Sequence, residues 1–315
     1  MIKILANDGI DNEGKALLEN AGFEVITEKV AQENLAKAIN ENNYTALTVR
    51  SATKVRKDII DACPNLKLIA RGGVGMDNID VEYAKSKGIE VVNTPAASSG
   101  SVAELVIAHL FSMVRFLYDA NRQMPLTGDT KFNELKKKYA NGVELRGKTL
   151  GIVGFGRIGQ VVSKYAVGVG MEILAFDPYL ESADITIDFF NGTDAKFKIP
   201  TVPLEEVLQN SDFITFHVPG GEIITEKEFD LMKKGVGLVN AARGGVINEK
   251  DLVKALNSGK VAYAALDVFE NEPTPQKEIL THPNISLTPH IGAATNEAQA
   301  RIGIELAEKI ISLLK

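Results

Sequence analysis

Gly154, Gly156 and Gly159 are spaced Gly-x-Gly-x-x-Gly between an apolar run, Lys148-Thr149-Leu150-Gly151-Ile152-Val153, and a helical pattern over 160–167. Asp177 follows a second apolar run, Glu172-Ile173-Leu174-Ala175-Phe176. This order suits capture of a dinucleotide. The first glycine permits a tight turn, the second leaves room for a pyrophosphate, and the third lets helix and strand pack closely. Arg157 and Ile158 complete the fingerprint at the helix N-terminus, where free N–H groups and the positive dipole end favour phosphate. The Asp177 carboxylate can accept hydrogen bonds from ribose hydroxyls and repels a 2′-phosphate, so the expected cofactor is NAD rather than NADP. Glycine-rich turns are common, and it is the strand, helix and acid together that make the pattern specific.

Hydride transfer to or from a carbonyl carbon needs three further groups: a cation for the substrate carboxylate, an acid/base for the oxygen, and a partner that orients the acid/base. Histidine suits the proton role, since its pKa lies near neutrality. The chain has four histidines. His109 lies in a long apolar helical pattern and reads as a packed core residue. His217 follows the apolar run Phe213-Ile214-Thr215-Phe216 and is expected to line a cofactor cleft, because open α/β sheets bind ligands at the carboxyl ends of their strands. His282 sits in a loop, Thr281-His282-Pro283-Asn284, with a surface fate. His290 ends the segment Ile285-Ser286-Leu287-Thr288-Pro289-His290, where the chain starts back toward its first half, and is the best acid/base candidate. Arg243, in Asn240-Ala241-Ala242-Arg243-Gly244-Gly245, can grip a carboxylate with two parallel hydrogen bonds. Glu272 lies in Asp267-Val268-Phe269-Glu270-Asn271-Glu272-Pro273. Taken singly, each of these residues is ordinary. An Arg, a Glu and a His after three separate strand ends of one dinucleotide domain point to function.

The elements that must position these groups alternate from the start. Short apolar runs at 2–5, 24–26, 46–49, 66–70 and 90–92 read as buried strands, with helical patterns at 13–20, 33–40, 54–62 and 81–86 between them. Such βα repetition predicts a parallel sheet covered on both faces. The fingerprint comes only after this series, and a second series follows it through 213–216, 237–240, 262–266 and 285–287. The expected fold is therefore α/β, with two doubly wound parallel-sheet domains. A Rossmann dinucleotide-binding domain (98–290) is inserted into a flavodoxin-like substrate domain (1–97 and 291–315). Helices over 101–121 and 296–314 are expected to join the halves. The first is apolar around most of its circumference and must be buried on nearly all sides, by an interdomain core or by a second copy of the chain in a homodimer. Residues 184–200 read as an insertion, with Asn191-Gly192 able to close a hairpin between 185–190 and 195–199.

Composition narrows the partners. The 315 residues are 45% hydrophobic and 24% charged, with a net charge of −6. A mildly acidic chain without a Lys/Arg block is a poor candidate for nucleic acid or an anionic membrane, so the expected partner is a small-molecule substrate. Cys63 is the only cysteine, which excludes intrachain disulfides and cysteine metal clusters, and no metal is called for. The first residues read as a strand rather than a signal peptide, and the longest apolar stretch, 105–117, is shorter than a membrane span needs. A cytoplasmic location is the expectation.

Several motifs, in order from Arg50-Ser51-Ala52-Thr53 to Gly292, make the chain resemble the D-isomer-specific 2-hydroxyacid dehydrogenases. They include the run from Gly147 through Gly159, Asn240-Ala241-Ala242-Arg243-Gly244-Gly245-Val246-Ile247, Ala265-Leu266-Asp267-Val268-Phe269-Glu270-Asn271-Glu272-Pro273, and Thr288-Pro289-His290-Ile291-Gly292. The resemblance implies that Arg243 binds the substrate carboxylate and carbonyl. It makes His290 the general acid/base and Glu272 the group that orients it and stabilises its imidazolium. It also implies cofactor contacts from His217, Val218, Pro219, Ala241, Asp267 and Gly292. A glutamate at 272 argues against the formate dehydrogenase branch, which carries glutamine there. Within the family the likeness is greatest to the phosphoglycerate dehydrogenase branch, through Arg50-Ser51-Ala52-Thr53-Lys54 and Ile69-Ala70-Arg71-Gly72-Gly73-Val74-Gly75-Met76-Asp77-Asn78-Ile79-Asp80. Val74 and Gly75 sit in a glycine loop whose N–H groups could cradle a carboxylate, and Arg50 and Arg71, with Ser51, are the expected substrate contacts.

That branch implies NAD-dependent oxidation of 3-phospho-D-glycerate between the two domains. Two departures stand out. The chain ends just after the return helix, so feedback through a C-terminal regulatory domain is not expected. The loop His217-Val218-Pro219-Gly220-Gly221 is shorter than the family's usual one and lacks the threonine that commonly follows the proline. The rival readings are another D-2-hydroxyacid dehydrogenase, acting on glyoxylate, hydroxypyruvate or lactate, and an NAD-sensing protein like the corepressors that share this fold.

Overall fold

The computed structural model describes residues 1–315. They divide into two compact units, 1–99 with 293–315, and 100–292.

Unit 1 runs β1 (Lys3–Ala6), α1 (Asn12–Asn20), β2 (Glu24–Ile26), α2 (Leu35–Glu41), β3 (Tyr44–Val49), α3 (Lys57–Ala62), β4 (Leu68–Arg71), α4 (Val81–Ser86) and β5 (Glu90–Asn93). Its five strands are all parallel, in the order β2-β1-β3-β4-β5, which is the flavodoxin-like order. Successive strand residues alternate between two cores. Leu5, Leu47, Val49 and Ile69 pack on one face with Leu35, Ile39 and Ile59. Ile4, Ala6, Ala46, Leu68 and Ala70 pack on the other, against Leu18 of α1 and the C-terminal helix. A sheet buried on both faces must read as continuous apolar runs, as these strands do. The register aligns Thr48 with Ala6, Arg71 with Val49, and Asn93 with Arg71. Asn7, Arg50, Gly72 and Thr94 therefore leave the sheet at one edge.

Unit 2 opens with α5 (Ser99–Val114), α6 (Leu117–Thr127) and α7 (Phe132–Lys138). It continues through β6 (Thr149–Val153), α8 (Arg157–Val169), β7 (Glu172–Phe176), β8 (Ser182–Asp188), β9 (Asp194–Pro200), α9 (Leu204–Asn210) and β10 (Phe213–Phe216). Then come α10 (Glu226–Leu231), β11 (Val236–Asn240), α11 (Glu249–Asn257), β12 (Val261–Leu266), α12 (Lys277–Thr281) and β13 (Ile285–Leu287). The C-terminal helix, α13 (Asn296–Leu314), belongs to unit 1. There, Gly14 of α1 and Gly303 of α13 meet so closely that a Cβ on Gly14 would strike the Gly303 carbonyl.

The main sheet of unit 2 is parallel, ordered β13-β12-β11-β10-β6-β7. Its alternation repeats the logic of unit 1. Ile214, Phe216, Leu238 and Leu266 face one core, and Phe213, Val239 and Ala265 the other. Beyond β7, at the edge of this six-stranded sheet, pairing continues only as a single parallel bridge between Thr201 and Ala175. The register sets Val153, Phe216, Asn240, Leu266 and Leu287 in one row. The residues that follow them, Gly154, His217, Ala241, Asp267 and Thr288, emerge together. The 184–200 segment is the β8–β9 hairpin, antiparallel from Ser182↔Pro200 to Asp188↔Asp194.

The expected helix over 101–121 is not continuous. Phe116 takes a left-handed backbone at φ 56° and splits it into α5 and α6. Tertiary packing causes the break. The Phe116 ring lies 6.0 Å from that of Tyr139 and 5.9 Å from that of Tyr263, and the Val143 N–H donates to the Val114 carbonyl at 3.0 Å. Nor is α5 covered all round. Val102, Val106, Leu110 and Met113 are buried, whereas Phe111 is 40% exposed. No single helix is long and apolar enough to cross a membrane; α5 and α6 pass that test only as a pair bent by 59°.

Candidate active site

The turn after β6 has the shape of a site that could hold an anion. Gly154 has φ 94°, and a Cβ there would fall 2.5 Å from the His217 carbonyl oxygen and 3.1 Å from Val218 Cγ1. The expected cofactor residues His217 and Val218 thus pass directly over the glycine turn. A Cβ on Gly159 would strike the Gly154 carbonyl, so helix and strand touch there. A Cβ on Gly156 meets nothing within 4 Å: the space beside it is open. No side chain caps the N-terminus of α8, and its first turn carries no acid. Its amides therefore have no built-in acceptor, and Arg157 and Ile158 stand at the opening. Asp177 accepts from the Phe155 N–H at 2.9 Å and the Tyr179 N–H at 2.9 Å, which presents a braced carboxylate at the end of β7. These residues fit a dinucleotide: glycines where a side chain would block, free amides, and an acid for the ribose.

His290 lies three residues past β13 with φ 55°, a left-handed backbone uncommon outside glycine. Its own N–H donates to the Thr288 carbonyl at 3.1 Å. Its Nδ1 lies 2.7 Å from Glu272 Oε2. The other oxygen, Oε1, accepts from the Phe269 N–H at 2.9 Å, which locks the carboxylate. An ionised carboxylate only accepts, so Nδ1 carries the proton and Nε2 is left to exchange one with a substrate. The His290 side chain is 50% exposed. The pair therefore adds little stability, and its consequence is orientation. The two residues border a cavity of about 390 Å³, walled by Phe269, Leu280, Leu287 and Pro289.

Arg243 sits on the loop after β11. Asn240 ties that loop, its Oδ1 accepting from the Ala242 N–H at 3.1 Å and its Nδ2 donating to the Arg243 carbonyl at 2.9 Å. The guanidinium Nη1 donates to the Ala242 carbonyl at 2.7 Å. A Cβ on Gly244 would strike the Phe269 carbonyl, so the Arg243 loop is seated on the strand exit that leads to Glu272. Asp267, expected at the cofactor, is 1% exposed. Its oxygens accept from the Thr288 hydroxyl at 2.6 Å and from the N–H groups of Ile291 at 2.8 Å and Gly292 at 2.9 Å. In this structure it braces the His290 loop. Pro219 is exposed and Ala241 half-buried at the same sheet edge.

The remaining histidines and the cysteine divide by burial. His217 Nε2 lies 3.1 Å from Thr215 Oγ1, while its Nδ1 is buried without a partner. Burial pulls its pKa from 6.5 down to about 3, so the imidazole is neutral. His282 is half-buried, and burial lowers its pKa too. Cys63 is fully buried, and its thiol is pushed up to about 11 by desolvation, the state of an inert core group.

In unit 1 the expected substrate residues form a second cluster. Arg50 and Ser51 are exposed and Arg71 is half-buried. The Arg50 Cγ lies 3.7 Å from where a Cβ on Gly72 would stand, and the Arg71 guanidinium occupies the place of a Cβ on Gly73, whose φ is 136°. Both arginines thus lie against consecutive glycines of the loop that continues to Val74 and Gly75. Two anchors of this cluster escape sequence reasoning. The Asp8 carboxylate accepts from the N–H groups of Arg50 at 2.8 Å and Thr53 at 3.0 Å, and from the Thr53 hydroxyl at 2.7 Å. Asn78 Nδ2 donates to the carbonyls of Arg50 at 2.8 Å and Thr53 at 2.6 Å. An acid placed directly after the first strand was the available signal for Asp8. In unit 2 the missed residue is Glu249, 3% exposed: its backbone N–H donates to the Glu270 carboxylate and the Glu270 N–H donates to the Glu249 carboxylate, each at 2.8 Å. Burial, then the neighbouring Glu270 and Glu272 charges, raise its pKa.

Residues 107–292 match the family model described as D-isomer specific 2-hydroxyacid dehydrogenase, NAD binding domain. The chain is 45% identical to hydroxypyruvate reductase of Thermotoga maritima, covering 99% of this chain and 98% of that one. It is 41% identical to D-3-phosphoglycerate dehydrogenase of Methanocaldococcus jannaschii, covering 100% of this chain and 58% of that protein, so it spans little more than half of that relative. Among solved structures, a glyoxylate reductase from Paecilomyes thermophila superposes with a TM-score of 0.81 at 31% identity, over 100% of this chain and 95% of that one.

Proposed function

Because the chain belongs to the D-isomer-specific 2-hydroxyacid dehydrogenase family, we propose that it oxidises 3-phospho-D-glycerate to 3-phosphohydroxypyruvate with NAD. Bound NAD supplies the hydride acceptor. Gly154, Gly156, Arg157, Ile158 and Gly159 hold its pyrophosphate, and Asp177 its ribose. His290 Nε2 takes the proton of the C2 hydroxyl as hydride leaves C2. Glu272 keeps that imidazole in one tautomer and stabilises the imidazolium that forms. Arg243 grips the carboxylate and the charged oxygen. Amides at Val74 and Gly75 receive the carboxylate, and Arg50 and Arg71, with Ser51, receive the phosphate.

The observation that carries the phosphate assignment is the placement of Arg50 and Arg71 against Gly72 and Gly73. The test is a substrate panel with NADH, scored on 3-phosphohydroxypyruvate against hydroxypyruvate, glyoxylate and pyruvate. Arg50→Ala and Arg71→Ala should each cut kcat/KM for the phosphorylated acid by about 10- to 100-fold, the worth of one charged hydrogen bond, and leave the plain acids within a few-fold. Unchanged kcat/KM for the phosphorylated acid removes the assignment. A second reading, reduction of hydroxypyruvate itself, is favoured by the Thermotoga maritima relative, which matches end to end. A wild-type preference for the unphosphorylated acid selects it. Negligible turnover with every 2-oxo acid beside tight NADH binding would select a nucleotide-sensing protein instead.

The same reading includes a homodimer through α5 and α6. Phe111 on α5 (40% exposed) and Leu117 (52%) and Met124 (44%) on α6 are exposed apolar side chains that a second copy could cover. Phe111→Asp should halve the mass seen by light scattering, and an unchanged mass rules this face out.

A further inference from the structure

We propose that His109 is a positioning residue for His290, acting through a one-way chain of hydrogen bonds that ends on the peptide groups beside the catalytic imidazole. The inference rests on the reading of His290 as acid/base.

His109 is 3% exposed on the buried face of α5, where Val106, Leu110 and Met113 are its apolar neighbours in sequence. A leucine would suit that face. Instead, the imidazole places Nε2 3.0 Å from Thr288 Oγ1 and Nδ1 3.2 Å from Ser286 Oγ. The donor roles follow from one end. Thr288 has a single hydroxyl proton, and it goes to Asp267 Oδ1, a carboxylate that only accepts. Thr288 Oγ1 must therefore accept from His109, which puts the proton on Nε2. Nδ1 is then an acceptor, and the Ser286 hydroxyl donates to it. Ser286 Oγ in turn accepts from the Ser112 hydroxyl, 3.4 Å away. Every group from Ser112 to Asp267 has one role, and none can be reversed alone. Burial lowers the His109 pKa, against the pull of Asp267, which favours the neutral imidazole that this order requires.

The chain ends where the geometry of His290 is set. Asp267 accepts from the N–H groups of Ile291 and Gly292 as well as from Thr288. Thr288 precedes His290 by two residues, and its carbonyl receives the His290 N–H. The left-handed turn at His290 is thus clamped on both sides by groups that His109 orders. Freed from that clamp, the backbone relaxes and the ring leaves Glu272, so both tautomers become populated.

The test uses the full chain with His109→Leu, His109→Gln, Thr288→Val and Thr288→Ser. Gln keeps an N–H donor and an acceptor, and Ser keeps the hydroxyl. His109→Leu and Thr288→Val should lower kcat about tenfold with KM and the NADH Kd within about twofold, because misplacement of a reacting group costs rate rather than binding. His109→Gln and Thr288→Ser should recover to within about threefold of the wild type. Ring-nitrogen NMR of His290, assigned by its loss in His290→Asn, should show the single Nδ1–H tautomer in the wild type and tautomer averaging in Thr288→Val. Wild-type kcat in His109→Leu, equal impairment by Leu and Gln, or an unchanged His290 ring signal in Thr288→Val overturns the proposal. Should His109→Leu fail to fold, the isosteric Thr288→Val carries the same test. Because the ring signal needs no turnover, failure of this proposal is distinct from failure of the acid/base assignment, which full activity in His290→Asn would reveal.

Discussion

The two sheets have matching switch points and put opposite things there. In unit 2 the order of strand addition reverses between β6 and β10, which pair in parallel, and the residues leaving β6 are Gly154-Phe155-Gly156. The space beside Gly156 is open, and α8 starts with no side-chain cap. In unit 1 the reversal lies between β1 and β3, and the residues leaving β1 are Asn7-Asp8-Gly9. Asn7 donates to the Val30 carbonyl and to Thr53 Oγ1, and Asp8 collects three donors from the Arg50–Thr53 loop. Helix α1 brings its own anion, since Asp11 accepts from the Glu13 N–H. A doubly wound sheet supplies a crevice at its switch point in either case. The residues after the strand decide what fills it: glycines leave it to a ligand, and short acids and amides turn it into a brace for the protein's own loop.

The comparison can be broken most severely in unit 2. His290→Ala should lower turnover by about a thousandfold or more while the NADH Kd barely moves, since the general acid/base contributes to reaction and not to cofactor capture. Near-normal turnover would remove the chemistry from this unit. Next in size, Gly156→Val fills the open crevice. It should weaken NADH about a hundredfold with an unchanged Tm, whereas Gly159→Val, which strikes the Gly154 carbonyl, should lower Tm itself. Equal Tm losses would mean that the crevice is not a ligand's. In unit 1, Asp8→Ala should raise the substrate KM about tenfold through the loosened Arg50 loop and leave the NADH Kd alone. An effect on NADH instead would show that Asp8 is no local brace.

The smallest effect is a pH dependence of stability. The folded His217 pKa is about 3 and its ordinary value 6.5. Between those values the unfolded chain binds the extra proton, so stability falls as pH drops below 6.5, by about 2 kcal/mol at pH 5. Tm should decline from pH 7 to 5, and His217→Gln should flatten part of that decline. An equal slope in the variant would assign the loss elsewhere.

Much of this architecture was legible in the order of residues. A central strand buried on both faces has to be an apolar run, as 213–216 is, and it and the edge runs 24–26 and 285–287 are strands with those bounds in the structure. Asn191-Gly192 marked the β8–β9 hairpin, because a tight turn needs residues that tolerate a left-handed backbone, and Gly192 has φ 81°. The break between α5 and α6 had no such mark. No glycine or proline stands at 115–117, and the left-handed Phe116 is held by two tyrosine rings that come from distant parts of the chain. His109 was legible as buried but not as polar in its work, because Ser286 and Thr288 lie 177 and 179 residues away.

The amino-acid order alone determined the βα series and the glycine turn with its acid, and it singled out Arg243, Glu272 and His290 as candidates. These depend on local periodicity and on chemical type, which each segment carries by itself. Only the tertiary structure decided that Glu272 meets the Nδ1 side of His290, that Asp267 braces a loop rather than standing open, and that Asp8 and Asn78 cage Arg50. Each of those outcomes is a match of register between neighbouring strands or an approach of one loop to another. Such matches are set when two faces of a sheet are packed at once, and no single segment contains them.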